Sequence, residues 1–297
     1  MRISGSDIHL LSIFGSVVRN GGFSAAQAEL GLSQPTISNH ITALEDRLGV
    51  KLCQRGRRGF LLTEKGHTVY EIGKNLADTI NYHSNKLSEL KGHLVGSLRV
   101  GAVDCLATDL AMKLPECIKT FVADAPAVSL ELSQERPQDI LSKVLDGGLH
   151  IGFGSFDNII FGLEYEDLYA ESHAIYCGVH HPLFTVADSD VNAEIVEKSA
   201  KIYRKYWSRQ RLQALQIKDI DRSVDEIESQ LLLVLSGQYV ALLPEHLCRS
   251  YVAEDRLRRL LPDQEPYVCL MQMVTKSGQR PMVIETFCRI LREAHGL

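Results

Sequence analysis

Residues 23–66 read FSAAQAELGLSQPTISNHITALEDRLGVKLCQRGRRGFLLTEKG. Ser24 is expected to N-cap a short helix over 25–30, rich in Ala, Gln and Glu. Gly31 ends it, since glycine adopts the left-handed conformation at a helix C-terminus without a Cβ clash. Ser33 then caps a second helix, with Pro35 in the first turn, where a missing N–H costs nothing. Along this helix Ile37, Ile41, Leu44 and Leu48 recur at helical spacing and predict a buried face. The other face carries Gln34, Thr36, Ser38, Asn39, His40 and Thr42, short polar groups suited to base edges in a major groove. Gly49, Gly56 and Gly59 frame Lys51, Arg55, Arg57 and Arg58, a hairpin whose cations suit flanking phosphates and the minor groove. The stretch predicts a winged helix-turn-helix. Ser24, Ser33, Gln34, Pro35, Thr36, Ser38, Asn39, His40, Arg55, Arg57 and Arg58 are its candidate DNA contacts.

Charge is divided unevenly along the chain. Residues 1–66 carry eight Lys/Arg against five Asp/Glu, the remainder 24 against 32. A basic end on an acidic chain reads as a DNA reader attached to something else, not as a bulk nucleic-acid coater.

The run 21–52 with the arginine cluster 55–58 and Leu62-Thr63-Glu64-Lys65-Gly66 resembles the LysR-type transcriptional regulators. The shared features are Ala25-Ala26, Ser33-Gln34-Pro35, Ser38, Leu44-Glu45, Leu48-Gly49 and Leu62-Thr63-x-x-Gly66. Departures are Gly22 for the usual Ser and Cys53-Gln54 before Arg55, where a Phe commonly stands. Further on, His150 takes the place of a usual Asp, Tyr239 that of a Gly, and Pro137 that of a polar residue. Pro137 is expected to remove a backbone donor from its loop.

The length of 297 residues suggests two or three domains, and 45% hydrophobic content supplies real cores. No window is apolar enough to span a bilayer, and the N-terminal segment lacks a signal-peptide core, so a cytoplasmic location is expected. Ile8, Leu11 and Val18 predict a first helix packed on the reader. The seven cysteines (53, 105, 117, 177, 248, 269, 288) are scattered and never spaced CxxC, which predicts reduced thiols and no zinc site.

From 64 to 91 there is no Pro, and Val69, Ile72, Leu76, Ile80, His83, Leu87 and Leu90 step by three and four. That is a coiled-coil seam, expected to dimerise two readers on two half-sites. Beyond a break at 92–96, strands at 97–103, 128–132 and 149–153 alternate with helices at 110–122 and 140–145. A second run places strands at 174–179, 201–203 and 239–243 and a helix at 226–236. A last strand at 268–274 and a helix at 281–294 return to the first set. Alternation implies a parallel sheet in an α/β fold. The predicted domains are a winged helix-turn-helix (1–65), a dimerisation linker helix (66–92) and a two-lobed periplasmic-binding-protein-like effector domain (96–297). Lobe I would hold 96–168 and 271–297, and lobe II 169–270.

Ligands of open α/β sheets sit beyond the carboxyl ends of strands. That rule selects Asp104, Cys105, Thr108, Gln134, Glu135 and Arg136 in the first lobe. In the second it selects Tyr203, Arg204, Tyr206, Trp207, Glu228 and Ser229. Arg204 among aromatic rings suits an organic acid, because arginine holds a carboxylate by paired hydrogen bonds. Asp104 and Glu228 favour a cationic or polar ligand instead. The resemblance implies a small-molecule effector between the lobes, a dimer of dimers on an interrupted palindromic operator, and contact with RNA polymerase.

An enzyme is the competing class. His180-His181 invites a metal reading, yet neighbours on a strand point to opposite faces. No HExxH, GxSxG or phosphate-binding glycine loop occurs, and Gly152-Phe153-Gly154 is too short for a dinucleotide site. A solute-binding transport protein fits the second half but not residues 1–66. No cofactor is expected.

Overall fold

A computed structural model describes residues 3–56, 59–89, 94–214 and 222–297. It resolves two compact units, Met1–Lys91 and Gly92–Leu297.

In the first unit, helices α1 (Gly5–Arg19), α2 (Ala26–Leu30) and α3 (Gln34–Leu48) precede a hairpin and a long helix. The hairpin pairs β1 (Cys53–Gly56) with β2 (Gly59–Leu62) antiparallel, and α4 (Glu64–Glu89) follows. Ile37, Ile41 and Leu44 of α3 are fully buried against Ile13, Phe14 and Val17 of α1, with Ala26 and Leu52 closing the core. The face of α1 that packs is therefore not the expected one: Ile8 is exposed, and Leu11 and Val18 only border the core. Gly31 and Gly49 end α2 and α3 in the left-handed region as read. Ser24 does not cap α2, which starts at Ala26 after a helical Ala25 without a side-chain cap. Its hydroxyl instead donates to Gln34 Oε1 at 3.2 Å, joining the two helices of the motif.

Thr63 explains the Leu-Thr-x-x-Gly run. Its Oγ1 donates to Lys51 O (2.7 Å) and accepts from Gly66 N (2.9 Å), capping α4 while fastening it to the wing. A Cβ on Gly66 would lie 1.9 Å from Leu52 O, so only glycine lets the first turn of α4 back onto that strand.

The second unit is built on one mixed sheet. In its first part β3 (Gly96–Ala102) lies between β4 (Val128–Gln134) and β5 (Ile151–Gly154), all parallel. The connections are α5 (Leu114–Asp124) and α6 (Pro137–Leu145). The sixteen-residue β6 (Leu163–Gly178) then runs on into the second part of the unit. There follow α7 (Ala193–Lys198), β7 (Tyr203–Arg204), α8 (Arg209–Ala214), β8 (Ser223–Val224), α9 (Ile227–Leu235), β9 (Val240–Pro244), α10 (Glu245–Ala253) and β10 (Leu257–Leu260). Finally β11 (Tyr267–Lys276) returns and α11 (Met282–His295) covers the first part.

The strand order β10-β6-β11-β5-β3-β4, with β9 also on β6, corrects the expectation of a parallel sheet: β6 is antiparallel to β9, β10 and β11, and β11 is antiparallel to β5. The charged first stretch of β6, Leu163 to Asp167, hid most of that strand from a reading based on apolar runs. Distinct cores flank the two parts: Val100, Phe121, Phe153 and Phe287 on one side, Ile227, Leu231, Val234 and Leu243 on the other. The helix expected at 110–122 is broken. Two single 3-10 turns, Leu106–Thr108 and Leu110–Met112, precede α5, because Asp109 caps its own turn (Ala111 N, 3.0 Å) and Lys113 is left-handed before Pro115. Among the described residues no helix is long and apolar enough to cross a membrane.

Candidate DNA-reading surface and effector cleft

On α3 the reading face is organised by short polar bonds. Ser33 Oγ accepts from Thr36 N at 3.4 Å and contacts Thr36 Oγ1 at 2.8 Å, so the cap forms as the sequence indicates. Gln34 N donates to Gln27 Oε1 (3.2 Å), fixing the turn between α2 and α3. Ser24, Ser33, Gln34, Pro35 and Asn39 are exposed, and Thr36 and Ser38 are half-buried. His40 sits edge-to-face on His9 of α1, 5.7 Å between ring centres, which draws it toward a helix–helix contact. Arg57 and Arg58 lie outside the described residues, and Arg55 is described by its backbone in β1.

Two buried carboxylates hold this face in place; sequence reading noted Glu45 only as part of the Leu44-Glu45 signature and gave neither a structural role. Asp7 completes a capping box with Ser4 and pairs with Arg47 of α3 (Arg47 Nη2 to Asp7 Oδ2, 2.8 Å), bracing α1 against the reading helix. Glu45, 6% exposed, accepts from Leu52 N (2.8 Å) and Lys51 Nζ (2.6 Å), tying α3 to the wing. The signal for Glu45 was its place on the apolar side, one residue after Leu44.

In the second unit, Asp104, Gln134, Glu135 and Arg136 of the first part meet Tyr206, Asp225 and Glu226 of the second around a cavity of about 340 Å³. Pro137 begins α6 and removes no needed donor, correcting its expected effect. Asp104 Oδ2 accepts from Ile227 N at 2.5 Å, so a carboxylate from the loop after β3 caps α9. Burial nonetheless pushes the Asp104 carboxyl above its ordinary range, despite that bond and the nearby Arg204 charge. Arg136 pairs with Asp139 at 2.8 Å and lies 3.8 Å from Asp225.

Behind the cavity wall Tyr203, Arg204 and Trp207 are buried. The Arg204 guanidinium lies 4.8 Å over the Trp207 ring, and its Nε donates to Gln230 Oε1 at 3.3 Å. Arg204 stands beside the Tyr206 hydroxyl and senses Asp104. Seven of the expected effector residues are not on the cavity lining: Cys105, Thr108, Tyr203, Arg204, Trp207, Glu228 and Ser229. Thr108 is exposed and bonds His246 Nδ1 at 2.8 Å, while Glu228 and Ser229, in the first turn of α9, stand apart from the cavity lining. In that turn Gln230 is the buried polar member, and it also donates to Ile202 O (2.7 Å).

A second polar group, on the long strands, had no linear motif. Glu171 and His173 alternate onto one face of β6, and Cys269 of β11 lies directly across from Glu171. Their donor atoms fall within 4.8 Å of one another, as do those of Asp109, Glu171 and His246, so either set could hold a metal ion. His246 Nε2 is 3.1 Å from Glu171 Oε1, and Tyr169 donates to Asp109 Oδ2 at 2.5 Å. Burial and the Arg204 charge hold the His173 ring well below its ordinary titration range, hence neutral. The Cys105 thiol is pushed up to about 12 by burial and by Asp104, so it stays protonated at neutral pH. His180 and His181 lie in the turn after β6, one exposed and one buried, with His181 Nδ1 capping Leu183 N (3.1 Å).

Family comparison gives this geometry its context. Residues 8–67 match the bacterial regulatory helix-turn-helix of the lysR family, and residues 91–296 match the LysR substrate binding domain. The chain belongs to the LysR family of transcriptional regulators. It is 36% identical over 288 residues to the HTH-type transcriptional activator BauR of Pseudomonas aeruginosa, covering 96% of this chain and 94% of that one. Its LysR fold aligns with full-length CbnR crystallised with its target DNA at a TM-score of 0.63 and 20% identity, over 97% and 99% of the two chains. A full-length OxyR variant from Pseudomonas aeruginosa aligns at 0.66 and 20% identity, over 98% and 95%. The LysR family and these relatives are transcriptional regulators, not enzymes.

Proposed function

We propose that this LysR-family regulator reads an interrupted palindromic operator in double-stranded DNA and responds to a small organic acid in the cleft around Asp104, Gln134 and Arg136. Gln34, Pro35, Thr36, Ser38 and Asn39 meet bases and phosphates; Ser24 and Ser33 support the turn, and Arg55, Arg57 and Arg58 reach the backbone and minor groove. The observation that carries the reading is α3 itself: Ile37, Ile41 and Leu44 are wholly buried while Gln34, Pro35 and Asn39 project outward from a capped first turn. An aliphatic face locked in a core and a short polar face left open describe a helix built to enter a groove.

Dimerisation through α4 supplies the second half-site. Ile72, Ile80 and Leu87 of the expected seam are exposed at 48%, 39% and 65%, which favours burial against a second copy. Val69 packs in part on the reader core, and Leu90 lies outside the described residues. Pairing of effector domains then builds a tetramer that acts in the cytoplasm and contacts RNA polymerase. Arg204, Trp207, Tyr203 and Cys105 form the inner wall of the effector site.

The test is selection of bound fragments from a genomic library by the purified protein, followed by sequencing. An interrupted palindrome with half-sites about one helical turn apart is expected. Random recovery, with or without candidate acids, would contradict the reading.

A further inference from the structure

Among the described residues eight buried side-chain polar atoms lack a hydrogen-bond partner, and four of them gather around Arg204. They are Arg204 Nη2, Trp207 Nε1 and both ring nitrogens of His173. Arg204 and Trp207 are each 5% exposed and His173 is fully buried. His173 Nε2 is 3.2 Å from Glu171 Oε2 but is not aligned for a hydrogen bond. Buried polar groups left unpaired call for a missing partner, and an obligate guanidinium donor beside an obligate indole donor calls for an acceptor. A carboxylate supplies two oxygens of that kind.

The adjoining cavity, lined by Tyr206 but not by Arg204 or Trp207, has the opposite character. Lys143 answers Glu135 at 2.5 Å and Arg136 answers Asp139 at 2.8 Å. Among the described residues no cation lies within ion-pair distance of Asp104 or Glu226, and Asp225 is reached only by Arg136 at 3.8 Å. A simple anion would pass these carboxylates to reach Arg204, and a simple cation would face Arg204 once inside. A molecule with both charges satisfies both ends.

We infer that the effector is a small zwitterion, an amino acid in the broad sense, with its carboxylate on Arg204 and Trp207 and its ammonium toward Asp104 and Glu226. This inference rests on the cleft reading above and narrows its organic acid to one that carries an amino group. Tyr206 lines the cavity and stands against Arg204, and so separates the two charged ends.

The experiment uses the full-length protein in thermal melting and isothermal titration. The probes are the proteinogenic amino acids and the unbranched amino acids from glycine to 6-aminohexanoate. Each is run beside its des-amino acid and its decarboxylated amine. At least one amino acid is expected to bind, with both truncated partners weaker by roughly 10–100-fold. Asp104→Asn keeps an acceptor for Ile227 N while removing the charge, and is expected to abolish the preference for the amino acid over its des-amino partner. Trp207→Phe keeps the ring and loses one donor, and is expected to weaken amino acid and des-amino acid alike. Des-amino acids binding wild type as tightly as amino acids would overturn the zwitterion and leave the cleft reading standing. An amino acid that binds both variants as it binds wild type would place the ligand elsewhere and overturn the cleft reading itself. Silence from all three probe classes would overturn the inference.

Discussion

The reading helix and the effector cleft use polar side chains in opposite ways. On α3 the proposed working groups stand within six consecutive positions, Gln34 to Asn39, on the side away from the core; the structural polar groups beneath them, Asp7 and Glu45, are held in the scaffold by Arg47 and Lys51. In the proposed cleft the candidate groups come from the loop after β3, from the end of β4, and from the segment after β7. There Arg204 and Trp207 keep unpaired donors in a buried wall. A groove-reader finds its partner's polar atoms outside the fold, so its own can rest in water until contact. A receptor for a small molecule must complete its hydrogen bonds with the ligand, and its empty state carries unpaired groups at about 1–3 kcal/mol each.

The contrast breaks most sharply if a change in one unit is felt in the other. Gly66→Ala drives a methyl into Leu52 O and should destabilise the reader by about 3 kcal/mol or more, with loss of all DNA binding. Two melting transitions, of which only one moves, would uphold the separation; a common shift would argue against independent units. Next in size, Asn39→Ala or Gln34→Ala should lower affinity for the selected operator by ~1–3 kcal/mol while leaving random DNA unaffected. Arg57→Ala should instead weaken both and flatten the salt slope by about one unit. Equal losses on both DNAs for all three variants would remove the assignment of a base-reading face.

Acid sharpens the comparison from the other side. His150 Nδ1 accepts from Arg99 N at 3.1 Å, and burial lowers its pKa to about 4 from an ordinary 6.5. The neutral ring is the form the fold holds, so its contribution is complete above pH 6.5 and is lost as pH falls toward 4. The loss approaches about 1.4 kcal/mol per pH unit within that window. Melting of the effector unit of His150→Gln should be flatter with pH over this range than that of wild type, and an identical pH profile would dismiss the histidine. The smallest effect concerns Cys105. A thiol held near 12 should ignore peroxide, so operator binding should be equal before and after treatment. A peroxide response abolished by Cys105→Ser would reverse that.

How much was legible follows from the same contrast. The winged motif was readable because its signals are local: Gly31 and Gly49 stop helices, Ser33 caps one, and three aliphatics at helical spacing fill the core. Ser24 was misjudged because a serine before a helix can cap it or reach across to its neighbour, and only Gln34 Oε1 decides. In the second unit the topological rule selected Asp104, Gln134 and Arg136, which line the cavity, since strand ends are marked in sequence, and Arg204, which is buried behind it. Glu228 and Ser229 stand off that lining, in a helix turn whose buried side chains are Ile227 and Gln230. Glu171, His173 and Cys269 were hidden altogether. The pairing of Glu171 with Cys269 spans almost a hundred residues, and no linear spacing encodes a strand register.

The cap that Asp104 places on α9 has a consequence for how such a regulator diverges. Asparagine accepts the same bond from Ile227 N, and a single base change converts an aspartate codon to an asparagine codon. The charge proposed to meet the ligand and the acceptor that holds the helix are thus carried by one carboxylate, yet mutation can discard the first without the second. A lineage could then change what it senses in one step, without passing through an unfolded intermediate and with the operator-reading helix untouched.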